Sequence, residues 1–227
     1  MKTSSAIVSI IIFAVIGGLV GYTMAPKAGT PQDGRQQDAQ QNSIGEGNIS
    51  QKKLDLREKM RKILSDHIMS ARAYSAAVID SHPSASTIAN RLMENEEDIG
   101  ALFSDYYGME TGRQLTDLLK EHIRIEDQFV QAFKVNNQAN ITAAKNKWEA
   151  NKKALVNLLV GANSNWSQAE LASALEEHMT LLGETAQARI NKQWQKEIEN
   201  VDKTYGQILT VGDVIVDGIV KQFPDKF

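Results

Sequence analysis

The chain contains no cysteine. That absence removes disulfides, thiolate metal sites, covalently attached haem and thiol nucleophiles together, and it leaves the redox compartment unmarked. Proline is scarce, with 4 residues in 227, and aromatic residues make up only 6%. Alternating β-branched strand patterns are missing after about residue 25. Few breakers combined with many Ala, Leu, Lys, Gln and Glu favour helix, because straight-chain residues lose little rotamer freedom there. A strong charge of either sign is lacking too. Against 28 acidic side chains stand 25 basic ones, a net charge of −3, so no whole-protein field draws in nucleic acid, and none is expected as a partner. Nucleotide loops, serine elbows and zinc-protease helices are absent, so no reaction is identified and a non-enzymatic role is expected.

What is present falls into three regions. Residues 6–24 carry no charged side chain and are rich in Ile, Val, Leu and Phe, with Lys2 before them and Lys27 after. About 20 apolar residues cross the roughly 30 Å hydrocarbon core of a bilayer, whereas the apolar part of a signal peptide usually runs to about 7 to 15. The favoured reading is an uncleaved single-pass anchor (residues 1–25) with its N-terminus inside, which places the rest of the chain outside the cytoplasm. The competing reading is cleavage after Ala25, just before Pro26, which would release a secreted domain. Gly17, Gly18 and Gly21 form a small-residue spacing that lets membrane helices approach closely, so a homo-oligomer stays open, and no particular protein partner is indicated. Residues 26–50, rich in Gln, Gly, Asp, Asn and Ser, bury too little to offset their ordering entropy and are expected to be a flexible linker.

From residue 51 to 227 helical periodicity takes over, and the expectation is an all-α antiparallel bundle of about six helices. The first spans 51–79, beginning after Ser50 and stopping before Pro83; the second spans 85–107 and ends at Gly108. The third covers 110–135 and the fourth 139–160, ending at Asn136-Asn137 and Gly161-Ala162-Asn163 respectively. A capping box of Ser167 and Glu170 opens the fifth. Between it and a sixth helix ending near Phe223 the hydrophobic seam slips around 190–194 without Gly or Pro, which makes that turn the least defined.

Three histidines stand in these coiled-coil-like seams. Leu56, Met60, Ile63, His67, Ser70, Tyr74 and Ala77 follow a 4-3 spacing along one face of the first helix. In the third helix the seam includes Leu118, His122, Ile125 and Phe129; in the fifth, Leu171, Leu175, His178 and Leu182. The remaining helices place Asn95, Asn151 and Tyr205 in their seams, with Asp98, Glu126 and Asp202 close by and Arg72 near the seam edge. This pattern points to a polar layer inside the bundle. One reading is a divalent transition metal held by His67, His122, His178 and Glu126, with Asn95, Asp98, Arg72, Asn151, Tyr205 and Asp202 around the ligands or contacting a polar ligand. The other is a non-catalytic ligand-binding or protein-interaction bundle whose buried histidines are hydrogen-bonded core residues that set register. Leu64, Leu119 and Leu175 stand three residues before the histidines, so the Glu-x-x-His of di-iron bundles is absent. His122 and Glu126 form a His-x-x-x-Glu, but the chain has too few histidines for a hemerythrin site. Asp66, Glu121 and Glu177 immediately precede the three histidines, yet adjacent helical residues point about 100° apart, so these acids are expected on solvated faces. His82 beside Pro83 is expected at the surface, and Trp148, Trp166 and Trp194 as core or helix-end seals.

Leu56-Arg57-Glu58-Lys59-Met60, Asp66-His67, Tyr106-Tyr107-Gly108, Leu119-Lys120-Glu121-His122, Asn165-Trp166, His178 and the ending Asp217-Gly218-Ile219-Val220-Lys221-Gln222-Phe223-Pro224 resemble a family of bacterial all-helical proteins. Some members carry automatic names such as acetylglutamate kinase or glycosyltransferase, for which this chain has neither a phosphate loop nor alternating strands and helices. The resemblance implies a helical bundle and brings no activity with it. Ser164 stands where those relatives tend to have proline, and their glycine between the fifth and sixth helices is missing.

Overall fold

A computed structural model describes residues 50–227. The expected anchor and linker lie outside the described residues, and among those described no helix is long and apolar enough to cross a membrane. The described chain contains six α-helices and no strand: α1 (Gln51–Ile79), α2 (Ala85–Tyr107), α3 (Met109–Lys134), α4 (Gln138–Ala162), α5 (Gln168–Ile190) and α6 (Trp194–Gln222), closed by a short 3-10 turn, Pro224–Lys226. The starts follow the capping signals. Ser50 accepts from the Lys53 amide, Asn137 from Asn140 and Ser167 from Glu170. The uncertain turn falls where the seam slips, between Ile190 and Trp194.

The helices form three successive hairpins, α1–α2, α3–α4 and α5–α6. Helices α1, α3 and α5 touch one another pairwise at the centre, while α2, α4 and α6 fill the outer grooves. The hairpins repeat one another in detail. Ser81, Asn136 and Lys192 all adopt left-handed backbone, at φ 56°, 51° and 58°. After each, an amide reaches back to an alanine carbonyl: His82 to Ala77 at 2.8 Å, Asn137 to Ala132 at 2.9 Å and Gln193 to Ala188 at 2.8 Å. This is the helix-ending motif in which a residue beyond the helix satisfies a carbonyl of the last turn. No glycine is needed between α5 and α6 because Lys192 itself takes the left-handed conformation.

Several residues of the 217–224 segment pack against α1, α2 and the turn just before α5. Asp217 pairs with Lys53 and Arg57 across the α1–α6 groove. Gly218 lies against the Trp166 indole, whose Nε1 donates to the Ile215 carbonyl at 3.3 Å. Tyr107 packs edge-on against Phe223 at 5.4 Å and at a tilt against Trp166 at 5.6 Å between ring centroids. Ile219 is fully buried in the same apolar cluster. The distinctive ending of the chain is therefore a structural lid. Trp148 and Trp166 are buried as expected, whereas Trp194 is 54% exposed.

Candidate metal centre

The three seam histidines come one each from the central helices α1, α3 and α5, and they converge. Their ring centroids are 6.4 Å (His67–His122), 6.2 Å (His67–His178) and 5.7 Å (His122–His178) apart, and all three are buried. Ligand atoms of His67, His122, Glu126 and His178 all lie within 4.8 Å of one another. Glu126 is the hub. Its Oε1 accepts from His122 Nε2 at 3.0 Å and from His178 Nε2 at 3.2 Å. His67 turns its Nδ1 to Glu96 Oε1 at 2.9 Å.

The repeat sets the height of the layer. One turn before each histidine, a backbone carbonyl of the central helix receives an amide from the outer helix of the same hairpin. Asn95 donates to Ile63, Asn151 to Leu118 and Gln207 to Ala174, at 3.0, 2.9 and 2.7 Å, across 32, 33 and 33 residues of sequence. Each central helix is thus pinned at the same level, and each histidine arrives in the same plane. The carboxylates break this symmetry: Ala71 and Leu182 stand at the positions in α1 and α5 that correspond to Glu126 in α3.

Burial penalises charge, so the ionisation of the layer depends on its partners. Burial favours a neutral His67 ring, but Glu96, helped by Glu126 and Asn95, outweighs it and raises the imidazole to about 9. At His178 burial prevails over Glu126, and the imidazole falls below its ordinary value. Burial pushes the Glu126 carboxyl up, yet His122 and His178 hold it well below the usual carboxylate range.

Three imidazoles and a carboxylate are a donor set suited to Zn, Fe, Ni, Cu or Mn. Around an ion with bonds of about 2.1 Å, neighbouring ligand atoms sit about 3.0 Å apart in an octahedron and about 3.4 Å in a tetrahedron. The two Glu126 contacts already have that spacing. Glu96, accepting from Nδ1–H of His67, would leave Nε2 as the ligating nitrogen, the carboxylate–histidine arrangement that orients metal ligands. The buried Nδ1 atoms of His122 and His178 have no hydrogen-bond partner among the described residues, and the Trp148 ring packs against His122 at 4.5 Å.

The structure also corrects part of the expected surround. Asn95 and Asn151 are buried at the layer, but Asp98 is exposed and faces Arg91 at 3.8 Å. The reason is rotational: Asp98 precedes the buried Ile99 by one residue and so points about 100° away from the core face. In α6 the seam runs through Glu197, Asn200 and Thr204, so Tyr205, one residue on, lies outside, bonded to Ser65 at 3.0 Å, and Asp202 is exposed. Gln207 holds the position assigned to Tyr205. Arg72 is exposed, at the rim of a cavity of about 40 Å³ that reaches Glu126 and His178. His82 is exposed, as expected. The sequence reasoning overlooked Glu96 and Gln207, although Leu-x-acidic-His recurs at Leu64, Leu119 and Leu175, and superposing those three stretches finds Gln207 from Asn95 and Asn151. No protein-family model, curated protein or solved structure matches this chain.

Proposed function

We propose that the protein is a membrane-anchored, extracytoplasmic helical bundle that binds or senses a divalent transition metal through His67, His122, His178 and Glu126. The observation that carries the metal reading is the convergence of four buried donors, from three helices, within 4.8 Å. The anchor is supported by the uncharged run at residues 6–24. Elemental analysis of untagged protein is expected to return about one ion per chain, lost in His122→Ala. Added metal at about 100 times its Kd should stabilise the wild type by about 2.7 kcal/mol and leave His122→Ala unmoved. Purified protein without metal, together with no shift on adding zinc, nickel or manganese, would sink the proposal.

A second reading has its own observation. Glu126 Oε1 already accepts from both His122 and His178, and His67 already has Glu96, so each imidazole of the layer has one hydrogen bond without an ion. In that case the histidines are structural, and the bundle is a non-catalytic ligand-binding or protein-interaction module. The same metal titration separates the two.

A further inference from the structure

On one side of the histidine layer, toward the start of α1, the bundle holds a cavity of about 130 Å³. Every helix contributes an aliphatic wall: Leu64, Ile99, Leu115, Leu155, Leu171 and Ile215. His67, Glu96, His122 and His178 border the same space, and Gln207 reaches it from α6. Close packing leaves few voids larger than a water in a protein interior, and a dry aliphatic cavity of about 150 Å³ is large enough to hold benzene. Glu96 and Gln207 are among the lining residues, and their buried Oε2 and Oε1 atoms have no hydrogen-bond partner among the described residues. A buried oxygen without a donor is costly, so an occupant that brings one is favoured over a purely hydrocarbon one of the same size.

We infer that this chamber is a binding site for a small neutral molecule with an apolar body of about benzene size and one hydrogen-bond donor, the donor directed at Glu96 or Gln207. A charged or strongly polar molecule is disfavoured by the aliphatic walls, and a larger one by the volume. The chamber rests on its own geometry; only the corollary that its occupant would abut a bound ion rests on the metal reading.

Titration of the full-length, chelator-treated protein with phenol and with toluene tests the inference and keeps it separate from any failure of the metal reading. The readout is the methyl NMR signals of Ile99 and Ile215. Saturable shifts are expected with both probes, with phenol at least about threefold tighter, the size of a modest hydrogen bond. Leu115→Phe, which fills the chamber, should weaken both at least tenfold; Leu175→Phe, at a partly buried wall position, serves the same purpose if the first variant does not fold. Gln207→Leu should narrow the gap between phenol and toluene. Absence of saturable toluene binding, or binding unchanged in a folded chamber-filling variant, would overturn the chamber. Phenol binding no tighter than toluene would overturn the donor.

Discussion

In the metal-free protein His67 holds its proton up to about 9 beside Glu96, whereas a metal ligand must offer a neutral nitrogen lone pair. At pH 7 an ion therefore has to displace a proton bound about two pH units too tightly. At 1.36 kcal/mol per unit the penalty is about 2.7 kcal/mol, a 100-fold loss of apparent affinity. The expected outcome is metal affinity that rises about tenfold per pH unit from 7 to 8.5, with about one proton released per ion. Competition against a chromogenic chelator gives the affinity, and calorimetry in two buffers of different ionisation enthalpy gives the proton count. Stability of the metal-free protein should run the opposite way. The folded value lies above the ordinary 6.5, so the His67–Glu96 contribution is complete below pH 6.5 and is lost as pH rises through about 9. The interval corresponds to about 3 kcal/mol, read as a falling urea midpoint between pH 6 and pH 9. Affinity flat between pH 7 and 8.5 with no proton release, or a midpoint that climbs over the same range, would refute the assignment of His67 as a protonated ligand.

Glu126→Leu removes the shared acceptor of two buried imidazoles and should cost about 3 kcal/mol in denaturant unfolding of metal-free protein, with Glu126→Gln recovering part of the loss. Lys192→Gly should stabilise by about 0.5–1 kcal/mol, because only the α5–α6 turn asks a long side chain to hold a left-handed backbone; an unchanged or lower thermal midpoint would count against that geometry. Asn200 is fully buried with neither amide atom partnered among the described residues, so Asn200→Leu, of similar size, should raise stability by about 1 kcal/mol. Gly112→Ala would drive a methyl into the Gly100 carbonyl and the Ser104 hydroxyl where α2 and α3 cross, and should lower the midpoint by at least about 1 kcal/mol.

Much of this arrangement was legible wherever a seam was apolar on both sides of its polar residue. His122 and His178 each sit between leucines or isoleucines at 4-3 spacing, and His67 continues the seam of Leu56, Met60 and Ile63, so that spacing places all three inside. It failed in α6 because the buried face there carries Glu197, Asn200 and Thr204, a polar stretch that periodicity cannot tell from a solvated one. Glu197 is tolerated inside because Arg189 of α5 meets it at 2.8 Å, a partner that only tertiary structure reveals. Glu96 was hidden for the same reason. A run of Glu94, Asn95, Glu96, Glu97 and Asp98 reads as a solvated face, and only its position opposite His67 turns one of its acids inward.

The internal repeat explains why the layer exists at all. A single buried histidine is most simply a core residue with a hydrogen bond, and nothing about one hairpin demands more. Three hairpins with the same left-handed turn, the same amide pin and the same histidine bring three imidazoles to one plane by construction, since the helices that carry them are the three that meet at the centre. Symmetry of that kind creates a cluster of lone pairs that burial makes expensive to leave unmatched. The chain then departs from symmetry at the positions that supply negative charge, Glu126 in the second hairpin and Glu96 in the first. Counting Glu126, the Glu96 carboxylate that faces His67 and the His67 proton, the layer carries about one net negative charge without an ion; a divalent cation that displaces the His67 proton brings it to neutrality. The two states would differ by one cation gained and one proton lost at the same layer, a local charge change of the kind a metal-responsive switch uses.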